Sequence, residues 1–115
     1  MKTKPLLPSL REKKRYLAFE IISEQAIDKK SAFGSILKKA SETLGKIDMA
    51  KAGIAILPEK YDTEKQRGVI RVNHKYLEKL RATLCLLTKI NNKDVLVRSL
   101  GASGMVNKAF AYVKD

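Results

Sequence analysis

The residue types that carry out catalysis are few and scattered in this sequence. His74 is its only histidine and Cys85 its only cysteine. Neither a histidine-based triad nor a multi-ligand zinc centre can be built within one chain from such a set, and no disulfide can close. His74 reads as an exposed polar residue at a helix start. Asp28, Asp48, Asp62 and Asp94 fall in turns or helix starts, where aspartate satisfies backbone donors, and no paired-acid motif emerges. Gly101-Ala102-Ser103-Gly104 has two readings: a cradle for a phosphate at a helix N-terminus, or a strand-to-helix turn that needs positive φ. No catalytic residue and no metal ligand is assigned.

The chemistry that is present is charge. "LREKKRYLAFEI", from Leu10 to Ile21, packs Arg11, Lys13, Lys14 and Arg15 around a single acid and then turns apolar with no Gly or Pro between. Over the chain, twenty-four Lys and Arg face twelve Asp and Glu, a net charge of +12. An excess of that size points to a polyanion, nucleic acid first, bound by phosphate neutralisation and counterion release. Lys-rich surfaces also keep proteins dissolved, so the positions of the cations matter more than their number.

Those positions follow from the elements. Pro5 and Pro8 keep residues 1–9 as an extended tail, and residues 10–115 form one domain by the length prior. Arg15 to Ile22 alternates, with Leu17, Phe19 and Ile21 on one face and Tyr16, Ala18 and Glu20 on the other, as a strand does. From Asp28 to Leu44 the period becomes helical, through Phe33, Ile36, Leu37, Ala40 and Leu44, with Asp28 as cap and Gly45 as stop. "AGIAIL" at 52–57 and "RGVIRVN" at 67–73 read as a hairpin of two strands. Asn73 caps a second helix striped by Leu77, Leu80, Leu84 and Leu87, which "INNKD" ends. "DVLVRSL" is a fourth strand, broken by Gly101 and Gly104 before a terminal helix through Val106, Phe110 and Val113.

The order βαββαβ, with a C-terminal helix added, is an α+β fold of the ferredoxin-like, RNA-recognition-like kind. It implies a four-stranded antiparallel sheet with both crossover helices on one face. RNA-recognition domains read bases by stacking them on aromatics of the first and third strands, but "GVIRVN" has no aromatic. Tyr16 and Phe19 could stack a base, although a core role is preferred. Phosphate contact therefore fits better than base reading, and Arg11, Lys13, Lys14, Arg15, Arg71 and Arg98 at edge and strand positions, with Lys108 on the terminal helix, are the expected RNA contacts. Leu86 falls opposite the buried stripe of the second helix, so a second surface must cover it, either the terminal helix or another protein. Cys85 beside it reads as packing. No apolar run reaches the ~18–20 residues of a membrane span, the first ten residues lack an apolar signal core, and a cytoplasmic location is expected.

Three segments resemble one family. "LLPSLREKKRYLAFEI" is similar to the start of the ribonuclease P protein component 2 family, archaeal counterparts of the small POP-family subunit that eukaryotic ribonucleases P and MRP share. The pattern is carried by Leu7, Pro8, Leu10, Arg11, Lys13, Arg15 and Tyr16. "RGVIRVNHKYLEKLRATLCLLTKI" resembles the family's third strand and second helix, and "VRSLGASGMVNKAF" its last strand, Ser-Gly turn and basic helix. Met105 departs from it, standing where the family often has Thr. The resemblance implies a subunit of the ribonucleoprotein that removes the 5′ leader from precursor tRNA, in which the RNA and its Mg²⁺ carry the cleavage. It also implies pairing with ribonuclease P protein component 3, contact with other protein subunits, and a heterotetramer with two copies of each component, joined by self-association of this chain. A basic ribosomal or assembly protein without a cleavage role is the alternative. An acylphosphatase-like enzyme is disfavoured, because its phosphate loop and Asn constellation are missing.

Overall fold

The computed structural model describes residues 13–115. Strand β1, Lys14–Ser23, is the centre of the sheet, hydrogen-bonded to a strand on either side. Its alternation sends Leu17, Phe19 and Ile21 into the main core. Ala18, on the opposite face, is also fully buried, so this strand is covered on both faces.

Asp28 starts helix α1, Lys29–Ala52, by accepting the Ser31 N–H on Oδ2 at 2.9 Å. The helix does not stop at Gly45 as the sequence suggests. Gly45 leaves helical geometry for one residue, at φ 80° and ψ 169°, and the helix resumes until Gly53 ends it in the left-handed region. The second half is retained because Ala52 is buried and Asp48 is held by the Tyr76 hydroxyl at 3.1 Å.

Strand β2, Ala55–Ile56, pairs with β3, Arg67–Asn73, which lies antiparallel to β1 from Lys14↔Asn73 to Glu20↔Arg67. The polar loop between β2 and β3 is tightly built. The Asp62 side chain accepts from the N–H groups of Glu64 and Lys65. Gln66, at φ 55°, turns a buried amide inward. Its Nε2 donates to the Ile21 carbonyl at 2.8 Å, and its Oε1 accepts the Ile27 N–H at 2.6 Å. One side chain thereby ties the loop to β1 and to the approach to α1.

The Asn73 side chain accepts the Lys75 N–H and opens a single 3₁₀ turn at His74–Tyr76, which runs into helix α2, Leu77–Leu86. Here the structure corrects the four-stranded expectation. "INNKD" does more than end the helix, since Lys89–Ile90 form a further strand, β4, that turns through Asn91 and Asn92 into β5, Lys93–Ser103. Both asparagines have positive φ, as a two-residue hairpin turn of the I′ type requires and as Asn tolerates. The sheet has five antiparallel strands in the order β2-β3-β1-β5-β4.

Gly101 does not break β5 either. The strand bulges at Leu100, opposite the Ala18–Phe19 step, and continues to Ser103. A Cβ on Gly101 would collide with the Tyr112 ring, so the glycine is needed for close approach of helix α3, Val106–Lys114. Helices α1 and α2 share the main core on one sheet face with Ile36, Leu80 and Leu84. On the other face, Ala109 and Val113 of α3 pack on Ala18 and Val69 in a second, smaller core. No helix among the described residues is long and apolar enough to cross a membrane.

Candidate nucleic-acid interface

The register of the sheet gathers the cations at one end. Tyr16 on β1 lies directly between Arg71 on β3 and Ser103 on β5, and Arg71 pairs onward with Ala55 on β2. These four residues form one row across the sheet. Lys14 lies two rows further out, opposite Asn73. The Lys13 carbonyl accepts the His74 N–H at 2.7 Å and has His74 Nδ1 3.2 Å away. That bond fixes the start of β1 against the turn carrying His74 and Lys75.

Arg15 reaches the end of β5. Its Nη1 donates to the Lys14 carbonyl at 3.1 Å, and the guanidinium lies beside Gly104. From there α3 begins with no acid in its first turn and no side-chain cap, the Met105 N–H going to Ser103 Oγ at 3.0 Å. The first-turn amides, the positive end of the dipole and exposed Lys108 thus join the same end of the domain.

Acidic residues are missing from the segments that converge here. None occurs between Lys13 and Phe19, between Gly68 and Leu77, or between Val95 and Lys114. Phosphates that bind a cluster of cations release the counterions condensed on the nucleic acid. The structure therefore brings Lys13, Lys14, Arg15, Arg71 and Lys108 together. His74 and Lys75 join them, and sequence reading missed both as part of a patch because only the His74–Lys13 bond puts them beside β1.

Arg98 stands apart. It faces Glu20, four residues along β1 from Tyr16, or ~13 Å. Its Nε donates to Glu20 at 2.8 Å, while Arg67 Nε donates to the other carboxylate oxygen at 3.0 Å. Desolvation disfavours the charge on Glu20, but the two guanidinium hydrogen bonds and their fields outweigh it and hold the carboxyl below its ordinary range. Arg67 and Lys65 also donate to the Tyr112 and Lys114 carbonyls, satisfying the C-terminal end of α3. These cations have structural work. Arg11 lies outside the described residues.

Base stacking on the sheet is closed off. Phe19 is fully buried in the main core, and Tyr16 is partly covered at the edge of the α3 cluster. Helix α3 occupies the face on which RNA-recognition domains stack bases. For the same reason α3 cannot cover Leu86, which ends α2 on the opposite face and remains 56% exposed. Cys85, expected to pack, is exposed as well, because the helix buries only Leu80, Thr83 and Leu84. Among the described residues no three His, Cys, Asp or Glu side chains form a metal-binding group.

Residues 15–114 match the family model of the Rpp14/Pop5 family. The chain belongs to the Rpp14/Pop5 family. Curated relatives agree across nearly its whole length. Ribonuclease P protein component 2 of Methanosarcina acetivorans is 42% identical over 113 residues, covering 97% of this chain and 83% of that protein. The component 2 proteins of Thermococcus gammatolerans and Pyrococcus furiosus are 38% and 34% identical, over 93% and 91% of this chain and 88% and 86% of theirs. Among solved structures, a chain of the yeast ribonuclease MRP cryo-EM structure shares the fold, with a TM-score of 0.64 at 16% identity over 90% of this chain and 88% of that one. The Rpp14/Pop5 match includes Arg15, Arg71, Arg98 and Lys108, while Lys13 and Lys14 fall just before it.

Proposed function

We propose that this chain is a protein subunit of ribonuclease P, the ribonucleoprotein that removes the 5′ leader of precursor tRNA, and that the basic end of its sheet binds phosphates of the particle's RNA. The observation that carries the reading is the convergence of Lys13, Lys14, Arg15, Arg71 and Lys108 at one end of the sheet. The relatives named ribonuclease P protein component 2 supply the particle.

In this reading the RNA and its Mg²⁺ carry the cleavage, and the protein lowers the repulsion between phosphates that must come close. Arg15 and Lys108 act beside the first turn of α3, where amides and dipole favour an anion. Lys13, Lys14 and Arg71 extend the positive surface across β1 and β3. Strand ends hold the backbone of each cation in fixed register, so less ordering is left for binding to impose. Arg98, already paired with Glu20, takes a secondary place. The protein partners are component 3, other subunits and a second copy of this chain in a heterotetramer, with Leu86 at a protein contact. Precursor tRNA and ribonuclease P RNA are the nucleic acids, in the cytoplasm.

The test is reconstitution. The RNA with component 3 should cleave precursor tRNA at lower Mg²⁺ once this chain is added, and the chain alone should leave the substrate intact. Cleavage by nuclease-free chain alone, or no change in the Mg²⁺ requirement, defeats the proposal.

A further inference from the structure

Phe110 and Tyr112 leave helix α3 on opposite flanks, since two steps of ~100° separate them, and only one of them is covered. Phe110 packs at the edge of the smaller core and lies under two cations, with Lys60 Nζ 4.5 Å and Lys114 Nζ 4.8 Å from its ring centroid. Tyr112 remains 42% exposed. Among the described residues no ring or cation stacks on it, and its hydroxyl has no hydrogen-bond partner. Its backing, by contrast, is rigid. A Cβ on Gly101 would have Tyr112 Cζ as its nearest atom, with Cε2 at 2.6 Å and Oη at 2.8 Å. Near-equal distances to the two atoms flanking Cζ, both longer than the contact with Cζ itself, set Gly101 against the face of the ring and not against its rim. One face therefore rests on the β5 backbone, and the exposure belongs to the other. The ring lines an open groove of about 380 Å³ with Ala102, Ser103, Lys108, Ala111 and Asp115.

We infer that Tyr112 is a stacking platform for one unpaired base of the particle's RNA, and that Lys108 holds a phosphate of the same stretch of strand. The inference rests on the phosphate-binding reading above and adds to it a base contact off the sheet. Three features select the occupant. Every base has a π face, and an aromatic ring already fixed against backbone stacks on it with little further ordering. Lys108 belongs to the cation cluster and stands four residues before Tyr112, where helix side chains are neighbours with Cβ atoms ~5–6 Å apart. A strand whose phosphate is held at Lys108 thus has a base within reach of the ring. The rest of the groove is polar: Ser103, Lys108 and Asp115 leave only the Ala102 and Ala111 methyls, too little apolar surface for the core of a protein contact. The Asp115 carboxylate repels a phosphate from its own end of the groove, so the strand enters with its phosphate toward Lys108 and its base over the ring.

The test compares Tyr112→Phe with Tyr112→Leu in the full chain, by anisotropy of labelled ribonuclease P RNA over a salt series. Both keep an apolar side chain over Gly101, but only Phe keeps a π face. Tyr112→Phe should bind as the parent does, and Tyr112→Leu ~10-fold more weakly. Because a stacked base releases no counterion, the slope of log affinity against log salt should stay that of the parent in Tyr112→Leu, whereas Lys108→Ala should lower it by ~0.9. The chain has no tryptophan, so Tyr112→Trp sets a single indole at the site. RNA should quench its fluorescence, and the other protein subunits without RNA should leave it unchanged. Parent-like affinity in Tyr112→Leu overturns the inference, as does a flattened salt slope in that variant, which would make the ring a mere support for Lys108. An indole that responds to the protein subunits alone makes the groove a protein contact and overturns it too. The quench decides even if leucine packs poorly on Gly101. Failure of the ribonuclease P reading itself appears elsewhere, as an unchanged Mg²⁺ requirement for cleavage.

Discussion

Replacing Lys13, Arg15, Arg71 and Lys108 together with Ala removes four of the five cations that converge at one end of the sheet, without touching either core. Each phosphate contact contributes ~0.9 to the slope of log affinity against log salt. The four-fold variant should therefore lose ~3.6 from that slope. Between 50 and 200 mM salt the parent should then lose ~150-fold more affinity than the variant does. The assay is fluorescence anisotropy of labelled ribonuclease P RNA over a salt series, with circular dichroism confirming the fold. Arg98→Ala is the control. Its guanidinium is bonded to Glu20 outside the cluster, so the slope should hardly change. If the four-fold variant keeps the parent slope, the cluster is a solvated surface. If Arg98→Ala alone flattens it equally, charge in general is at work and the geometry plays no part.

Leu86→Glu should leave the thermal melt within ~0.5 kcal/mol of the parent, because the side chain is more than half exposed, yet reduce the mass of the complex with component 3 in light scattering; an unchanged mass removes Leu86 from any interface. Gln66→Ala strips a buried acceptor from the Ile27 N–H and a donor from the Ile21 carbonyl, and urea unfolding should show a loss of ~2–4 kcal/mol; a loss under ~0.5 kcal/mol would mean that water replaces the amide. Glu20 has a folded carboxyl held below the ordinary value of 4.5, so its stabilisation is complete above that value and fades as pH falls through the folded one. Glu20→Gln should accordingly unfold with a shallower acid dependence below about pH 5, and a parallel pH profile counts against the Arg67–Glu20–Arg98 bridge. Gly101→Val drives a side chain into the Tyr112 ring and should cost ~1–3 kcal/mol, with most of it recovered by adding Tyr112→Ala.

What could be read from the sequence was what local chemistry determines. Asp28 as a cap, the alternation of Leu17, Phe19 and Ile21, and the stripe Leu80–Leu84 each depend on neighbours a few residues away, and each stands in the structure. Gly45 and the Asn91–Asn92 pair misled because the same residues serve two ends: a glycine can interrupt a helix without ending it, and Asn-Asn can close a hairpin as well as follow a helix. The basic block at 11–15 was visible at once, but its company was not. That Arg71 sits across from Tyr16 and Arg98 across from Glu20 is a matter of strand register, fixed by pairing between residues some 55 to 80 positions apart. No local pattern separates those two arginines.

The side of the sheet taken by α3 has a consequence for recognition. Had the terminal helix packed on α2, the face bearing Tyr16, Ala18 and Val69 would be open, and a base could stack there. Instead Ala109 and Val113 close it, and Gly101 and Ala18 are small enough to let α3 lie close.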